Sequence, residues 1–171
     1  EIKECDWSSD VCSSDLLIEV VFFEKEGMDY YRMAAERALN PVTRALFEML
    51  VEDEKKHVDY LSGLHDRLSA GGEWPDEITI SPEKDFKAIF VEAARSLAKD
   101  ISVTATETEA LERAIEMENK GRAMYLELSE KAANQTEKRL YAMLAEWELG
   151  HANYIQDYYN YFQDHGLFMN E

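Results

Sequence analysis

The chain is poor in most of what would point away from a helical protein. Three prolines and seven glycines are few for 171 residues, and strand-like alternation of apolar and polar residues is scarce. No apolar run approaches the roughly 20 residues that span a bilayer, which excludes a transmembrane reading. Positive charge is also short. Eighteen Lys and Arg stand against 36 Asp and Glu, a formal net charge of −18, which argues against nucleic acid or an anionic membrane as partner. Cysteine is confined to Cys5 and Cys12.

Both cysteines fall in a stretch, Glu1 to Leu16 (EIKECDWSSDVCSSDL), that fits nothing after it. It has no initiator Met, no helical period and no apolar core of a signal peptide. Asp6 to Leu16 reads, in one frame, as a translated sequencing adapter, so residues 1–16 are expected to be an artefact, disordered or not native. The stretch carries five acids (Glu1, Glu4, Asp6, Asp10, Asp15) and Lys3, so without it the net charge moves from −18 to −14. The remainder has no cysteine, which rules out a disulfide framework, a thiolate metal site and a cysteine nucleophile. Residues 17–171 suit one domain with a substantial core. With no targeting signal visible, a cytoplasmic location is the expectation.

What the chain does have is Glu54-Lys55-Lys56-His57, a Glu and a His three apart and therefore on one face of a helix. One such pair arises by chance in any acidic helical protein. A second, Glu148-Leu149-Gly150-His151, lies 94 residues on, and the whole chain repeats at that offset. EKEGMDYY (Glu24 to Tyr31) falls on ENKGRAMY (Glu118 to Tyr125), and LFEMLVEDEKKHVDYL (Leu46 to Leu61) on LYAMLAEWELGHANYI (Leu140 to Ile155). The register needs no gap from Glu24 to Trp74. One helical hairpin is thus used twice, each copy supplying a Glu from its first helix and a Glu-x-x-His from its second.

The expected architecture is all-α, a four-helix bundle of two repeated hairpins. Helix 1 runs from about Leu17 to Leu39 with an inward stripe of Val20, Glu24, Gly27, Tyr31, Ala35 and Ala38. Asn40-Pro41 makes the turn and caps the second helix, which continues to about Ala70 and stops at Gly71-Gly72. Thr104 with Glu107 is a capping-box spacing for helix 3, and Asn134 with Glu137 a variant of it for helix 4, which runs from about Gln135 to Asp164. A long crossover joins the hairpins, with a short extra helix from Ser81 to about Asp100. The inward stripes of helices 2 and 4 are apolar except where Glu54, His57, Glu148 and His151 interrupt them.

Bringing the four stripes together makes Glu24, Glu54, His57, Glu118, Glu148 and His151 converge. Four carboxylates could not all ionise in such a core on their own, and two divalent cations would cancel their charge. Carboxylate and imidazole donors favour iron or manganese, with zinc able to occupy such a site. The competing reading leaves the acids solvated and the histidines as satisfied core residues. His65 and His165 fall outside the constellation and are expected at the surface.

On these residues the chain resembles the ferritin-like di-iron carboxylate proteins, whose pattern is a Glu on each of two helices and a Glu-x-x-His on each of the others. Among them it looks most like the short rubrerythrin-related members. The resemblance implies that Glu54 and Glu148 bridge two metal ions, most typically iron, with Glu24 and His57, and Glu118 and His151, as terminal ligands. It implies that Tyr31 and Tyr125 donate hydrogen bonds to those ligands, and counts Glu54, Glu148, Tyr31 and Tyr125 as catalytic. Two departures stand out. Rubrerythrins carry a second Glu where this chain has Gly121, and they carry a cysteine-rich rubredoxin domain, so electrons here would come from a separate, rubredoxin-like or other donor. The 64 residues from Glu54 to Glu118 are long for a cage-forming ferritin.

The function implied is a di-iron oxidoreductase, a peroxidase or oxidase that reduces hydrogen peroxide or dioxygen. The alternatives are a ferroxidase that handles iron, and a non-enzymatic metal-binding bundle. The aromatic cluster Tyr154, Tyr158, Tyr159, Tyr161 and Phe162 exceeds what one seam buries, which suggests a homodimer. Deleting residues 1–16 is expected to leave melting temperature and metal content unchanged, checked by calorimetry and elemental analysis. A large loss of either would show that the segment belongs to the fold.

Overall fold

The computed structural model describes residues 13–80 and 103–164. These form four helices and no strand: α1 (Ser13–Arg37), α2 (Pro41–Ser69), α3 (Ala105–Lys131) and α4 (Gln135–Asp164). The expected short helix in the crossover, and His165, lie outside the described residues. None of the helices described is long and apolar enough to cross a membrane. Helices α1 and α2 pack as one hairpin and α3 and α4 as the other, with α1 meeting α3 across the bundle.

The helix boundaries follow from local chemistry. Asn40 accepts from the backbone N–H of Val42 (2.8 Å) and Thr43 (3.2 Å), and Pro41 occupies the first helical position, where its missing N–H costs nothing. The end of α2 is a Schellman motif. Gly71 takes the left-handed conformation (φ 81°), its N–H bonds to Leu68 O, and the Gly72 N–H bonds to Arg67 O. Thr104 and Glu107 form the full capping box of α3, and Asn134 accepts from the Glu137 N–H at 2.9 Å. Helix α1 begins earlier than its apolar stripe suggests. Ser13 to Leu16 make its first turn, where the acidic Asp15 complements the positive end of the helix dipole.

Glu107 does more than cap. Its Oε1 accepts from the backbone N–H of Asn40 in the opposite hairpin at 2.8 Å, while Oε2 accepts from Thr104. One buried carboxylate therefore locks the α1–α2 turn to the start of α3, which fixes the axial register of the two hairpins. Apolar packing lies on both sides of the acidic middle. One cluster gathers Tyr31, Phe47, Leu50, Leu111, Ile155 and Tyr158. The other gathers Leu17, Val20, Leu61, Tyr125, Leu140 and Leu144. Fully burying each such large side chain is worth about 1.5–3 kcal/mol.

The aromatic end of α4 is buried in part. Tyr158 and Phe162 are buried, Tyr158 sharing a hydrogen bond with Thr43 Oγ1 (2.6 Å). Tyr159 donates to Glu112 (2.9 Å), and Tyr161 is exposed. Tyr154 and Tyr159 are half-buried and pack against the core cluster. Replacing Glu107 by Ala strands the buried Asn40 N–H as well as losing the cap, so we expect a loss of about 2–4 kcal/mol. Asn134→Ala, which removes a cap alone, should cost about 1 kcal/mol. Urea unfolding of the two variants checks the order, and equal losses would contradict the cross-hairpin role of Glu107.

Candidate metal centre

The six side chains singled out by the repeat meet in the middle of the bundle, each at most 3% exposed. Each comes from a different turn: Glu24 from α1, Glu54 and His57 from α2, Glu118 from α3, Glu148 and His151 from α4. His57 Nδ1 lies 3.3 Å from Glu24 Oε2 and 3.2 Å from Glu54 Oε2. His151 Nδ1 lies 3.2 Å from Glu54 Oε1 and 3.5 Å from Glu118 Oε2. Glu54 thus stands between the two imidazoles, one oxygen toward each.

Two overlapping ligand sets result. Glu24, Glu54, His57 and Glu148 place one donor atom each within 4.8 Å of one another, and so do Glu54, Glu118, Glu148 and His151. Glu54 and Glu148 belong to both. The tyrosines are crossed between the hairpins. Tyr31 on α1 donates to Glu118 Oε1 on α3, and Tyr125 on α3 donates to Glu24 Oε1 on α1. Each hydroxyl engages one oxygen of its carboxylate and leaves the other to face the centre. His65 stands apart, partly exposed beside Asp66 and Ser69.

The donor set fits divalent cations, and three features of the chain bear that out. Glu148 Oε1 is buried and meets no hydrogen-bond donor. A small cavity of about 10 Å³ is lined by Glu24, Glu54, Glu118 and Glu148 together with Phe23, Gly27, Tyr31 and Met117. Gly121 is the cradle. A Cβ there would come within 2.8 Å of Glu148 Oε2 and 2.9 Å of Phe23, so any side chain at 121 would have to displace Glu148 or Phe23 from where they stand. The departure noted in the sequence thus falls where Phe23 and Glu148 close over the backbone. Gly27, the repeat partner of Gly121, has nothing within 4 Å of such a Cβ. It borders the cavity.

Without cations the site answers crowding with protons. Burial raises the Glu24 carboxyl well above its ordinary range, reinforced by the charge of Glu54. Burial likewise raises Glu148, reinforced by Glu118. For Glu54 burial pushes upward too, but hydrogen bonds with Glu24, His151 and His57 together outweigh it and hold the group low. Burial would lower His57, yet Glu24 and Glu54 overcome it and push it up to about 10.

Two residues of the site escaped the sequence reading. Asp53 is buried next to Glu54, with Oδ2 4.0 Å from His151 Nε2 and Oδ1 paired with Lys56. Trp147 stacks on His57, ring centroids 4.8 Å apart and planes 7° from parallel. The signal for Asp53 was there, since Leu50, Asp53 and His57 follow the i, i+3, i+7 spacing of an inward face.

The ferritin-like domain family matches residues 17–160, and the chain belongs to it. No curated protein and no solved structure matches the chain. The fold and the buried carboxylate–histidine cluster together are compatible with a di-metal site.

The protonated, metal-free site has a definite pH signature. Glu24 and Glu148, raised above their ordinary 4.5, make the folded chain bind more protons than the unfolded one above that pH, so stability falls as pH rises. His57 acts in the same direction, its contribution complete below 6.5 and lost as pH rises through about 10. Glu54, depressed, loses its contribution only as pH drops through its lowered folded value, below this window. Chelator-treated protein should therefore melt higher at mildly acidic than at mildly alkaline pH. Glu148→Gln should flatten that slope and, metal-free at alkaline pH, melt no lower than wild type. A flat wild-type profile, or a clearly less stable metal-free Glu148→Gln, would contradict the crowded-charge account.

Proposed function

We propose that this ferritin-like chain is a rubrerythrin-like di-iron oxidoreductase that reduces hydrogen peroxide, or dioxygen, with electrons from a separate donor. The observation that carries the reading is the sharing of Glu54 and Glu148 between two complete ligand sets. A single structural ion would need only one set. Bound there, a pair of redox-active ions would supply the electrons that cleave an O–O bond.

The chain's own residues do the rest. Glu54 and Glu148 would bridge, while Glu24 with His57 and Glu118 with His151 would close the two ends. Burial and like charge favour the protonated forms of Glu24 and Glu148, and a cation would compete with those protons, so uptake weakens as pH falls. Tyr31 and Tyr125 hold Glu118 and Glu24 through one oxygen each. Each terminal carboxylate would thereby keep its second oxygen for an ion, held in orientation by the tyrosine on the other hairpin. Phe23 and Met117 form the apolar part of the cavity wall beside the four carboxylates. At about 10 Å³ the cavity has room for about one water-sized group. The chain offers no thiolate or second redox domain in residues 17–171, so each peroxide would draw its two electrons from a partner or small reductant.

The test is iron content and turnover together. Protein reconstituted anaerobically with Fe(II) should hold two ions per chain and consume peroxide catalytically when a reductant is supplied. Glu54→Ala and Glu148→Ala should lose bound iron and turnover together, while Tyr31→Phe should keep its iron and lose rate by about 10-fold or more. Iron retained far above two per chain, with a single oxidation per ion, would favour the ferroxidase reading. Failure to bind iron or manganese would favour the non-enzymatic one.

A further inference from the structure

The repeat makes the two ligand sets look interchangeable, yet the residues behind the two histidines differ in kind. Position 53, just before the first Glu-x-x-His, is Asp. Its repeat partner before the second is Trp147. Each lies against the histidine of the opposite hairpin. Asp53 Oδ2 is 4.0 Å from His151 Nε2, whereas Trp147 lies flat on the ring of His57.

The chemistry of the two contacts is unlike. Asp53 is 2% exposed, and its Oδ2 meets no hydrogen-bond partner. The 4.0 Å span to His151 is longer than a hydrogen bond and too short for a water in line between them. The carboxylate therefore faces the outer nitrogen of the ring directly, and Lys56 holds its other oxygen in place. With a cation held among Glu54, Glu118 and His151, an acceptor there favours the tautomer with the proton on Nε2, so that the Nδ1 lone pair, which faces Glu54 and Glu118, is left to the cation. It also makes that nitrogen a better donor to a cation. An indole can do neither, because its one polar atom is itself a donor. Trp147 orients His57 by stacking, with no gain in basicity.

We propose that Asp53 is a positioning residue that makes the cation position beside His151 the tighter of the two, while Trp147 leaves the position beside His57 the weaker and more exchangeable. This rests on the di-metal reading above. It has a consequence for loading: the first ion settles between Glu118 and His151, and the second completes the centre on the His57 side.

The test is an anaerobic titration of the metal-free full chain with Co(II), followed by absorption and calorimetry. Two resolved steps are expected. Asp53→Asn should weaken the tighter step by about 10- to 100-fold and leave the other unchanged. That loss should persist in a His57→Ala background and vanish in a His151→Ala background, a coupling that a general packing defect would not produce. Trp147→Asp puts a carboxylate behind His57 and should tighten the weaker step. The imidazole ¹⁵N shifts of the zinc-loaded protein should place the proton of His151 on Nε2, and Asp53→Asn should broaden or shift that signal alone. Two ions bound with Asp53→Asn affecting both steps equally in both histidine backgrounds would overturn the inference and leave the metal centre standing. Should Asp53→Asn not fold, the Trp147→Asp arm decides alone, and no tightening there would overturn it. No Co(II) bound by wild type would overturn the metal centre and this inference with it.

Discussion

Everything in this structure answers to one electrostatic constraint. Four carboxylates and two imidazoles are gathered in the middle of a four-helix bundle, out of contact with water. An isolated charge cannot be left there, because its lost hydration is worth far more than a domain's net stability. The group must be compensated by cations, by protons or by each other. In the metal-free chain burial and neighbouring charge favour the protonated forms of Glu24 and Glu148, while hydrogen bonds favour the ionised form of Glu54 between the two histidines. The apolar clusters lie to either side of this layer. Their burial offsets what the layer itself does not contribute.

A site of that kind demands accurate helix phasing, and the caps supply it. A helix that slides by one residue turns by about 100° and carries its ligand out of the core. Asn40, Thr104 with Glu107, and Asn134 pin where α2, α3 and α4 begin. Glu107 ties the register of one hairpin to the other through Asn40. The crossed tyrosines repeat the tie at the centre, each reaching from its own hairpin to a carboxylate of its counterpart. Ligand geometry is thereby coupled to the packing of the bundle.

Duplication made the framework symmetric, and substitution then made it uneven. Phe23 and Met117 occupy matching places but only Phe23 presses against its opposing glycine, Gly121. Asp53 and Trp147 occupy another matched pair and put a charge behind one histidine and a ring against the other. These differences fall around the candidate ligands and not among them, since the same three residue types, a Glu and a Glu-x-x-His, stand in each copy. Altering a ligand would remove a site, whereas altering its neighbours tunes it.

What the sequence determined by itself was whatever repeats along the chain. The 94-residue offset, the two Glu-x-x-His pairs and the caps were legible because helical period and capping chemistry are local, set within a turn or two. From them follow two hairpins, the ends of α2, α3 and α4, and the six residues at the centre. The start of α1 was not legible, because a helix propagates past its apolar stripe once nucleated and Ser13 to Leu16 carry no stripe of their own. Asp53 was legible as an inward position by its spacing, but not as part of the site. An acid in an acidic run reads as solvated unless something shows which neighbour covers it, and that neighbour, His151, comes from the other hairpin. Glu107 likewise announced its cap but not its bond to Asn40. The crossing of the tyrosines, the stacking of Trp147 on His57 and the closeness of Phe23 to Gly121 all join residues more than 80 positions apart. Periodicity can say that a residue faces inward. What it meets there depends on how two hairpins dock, and only the tertiary structure decides that.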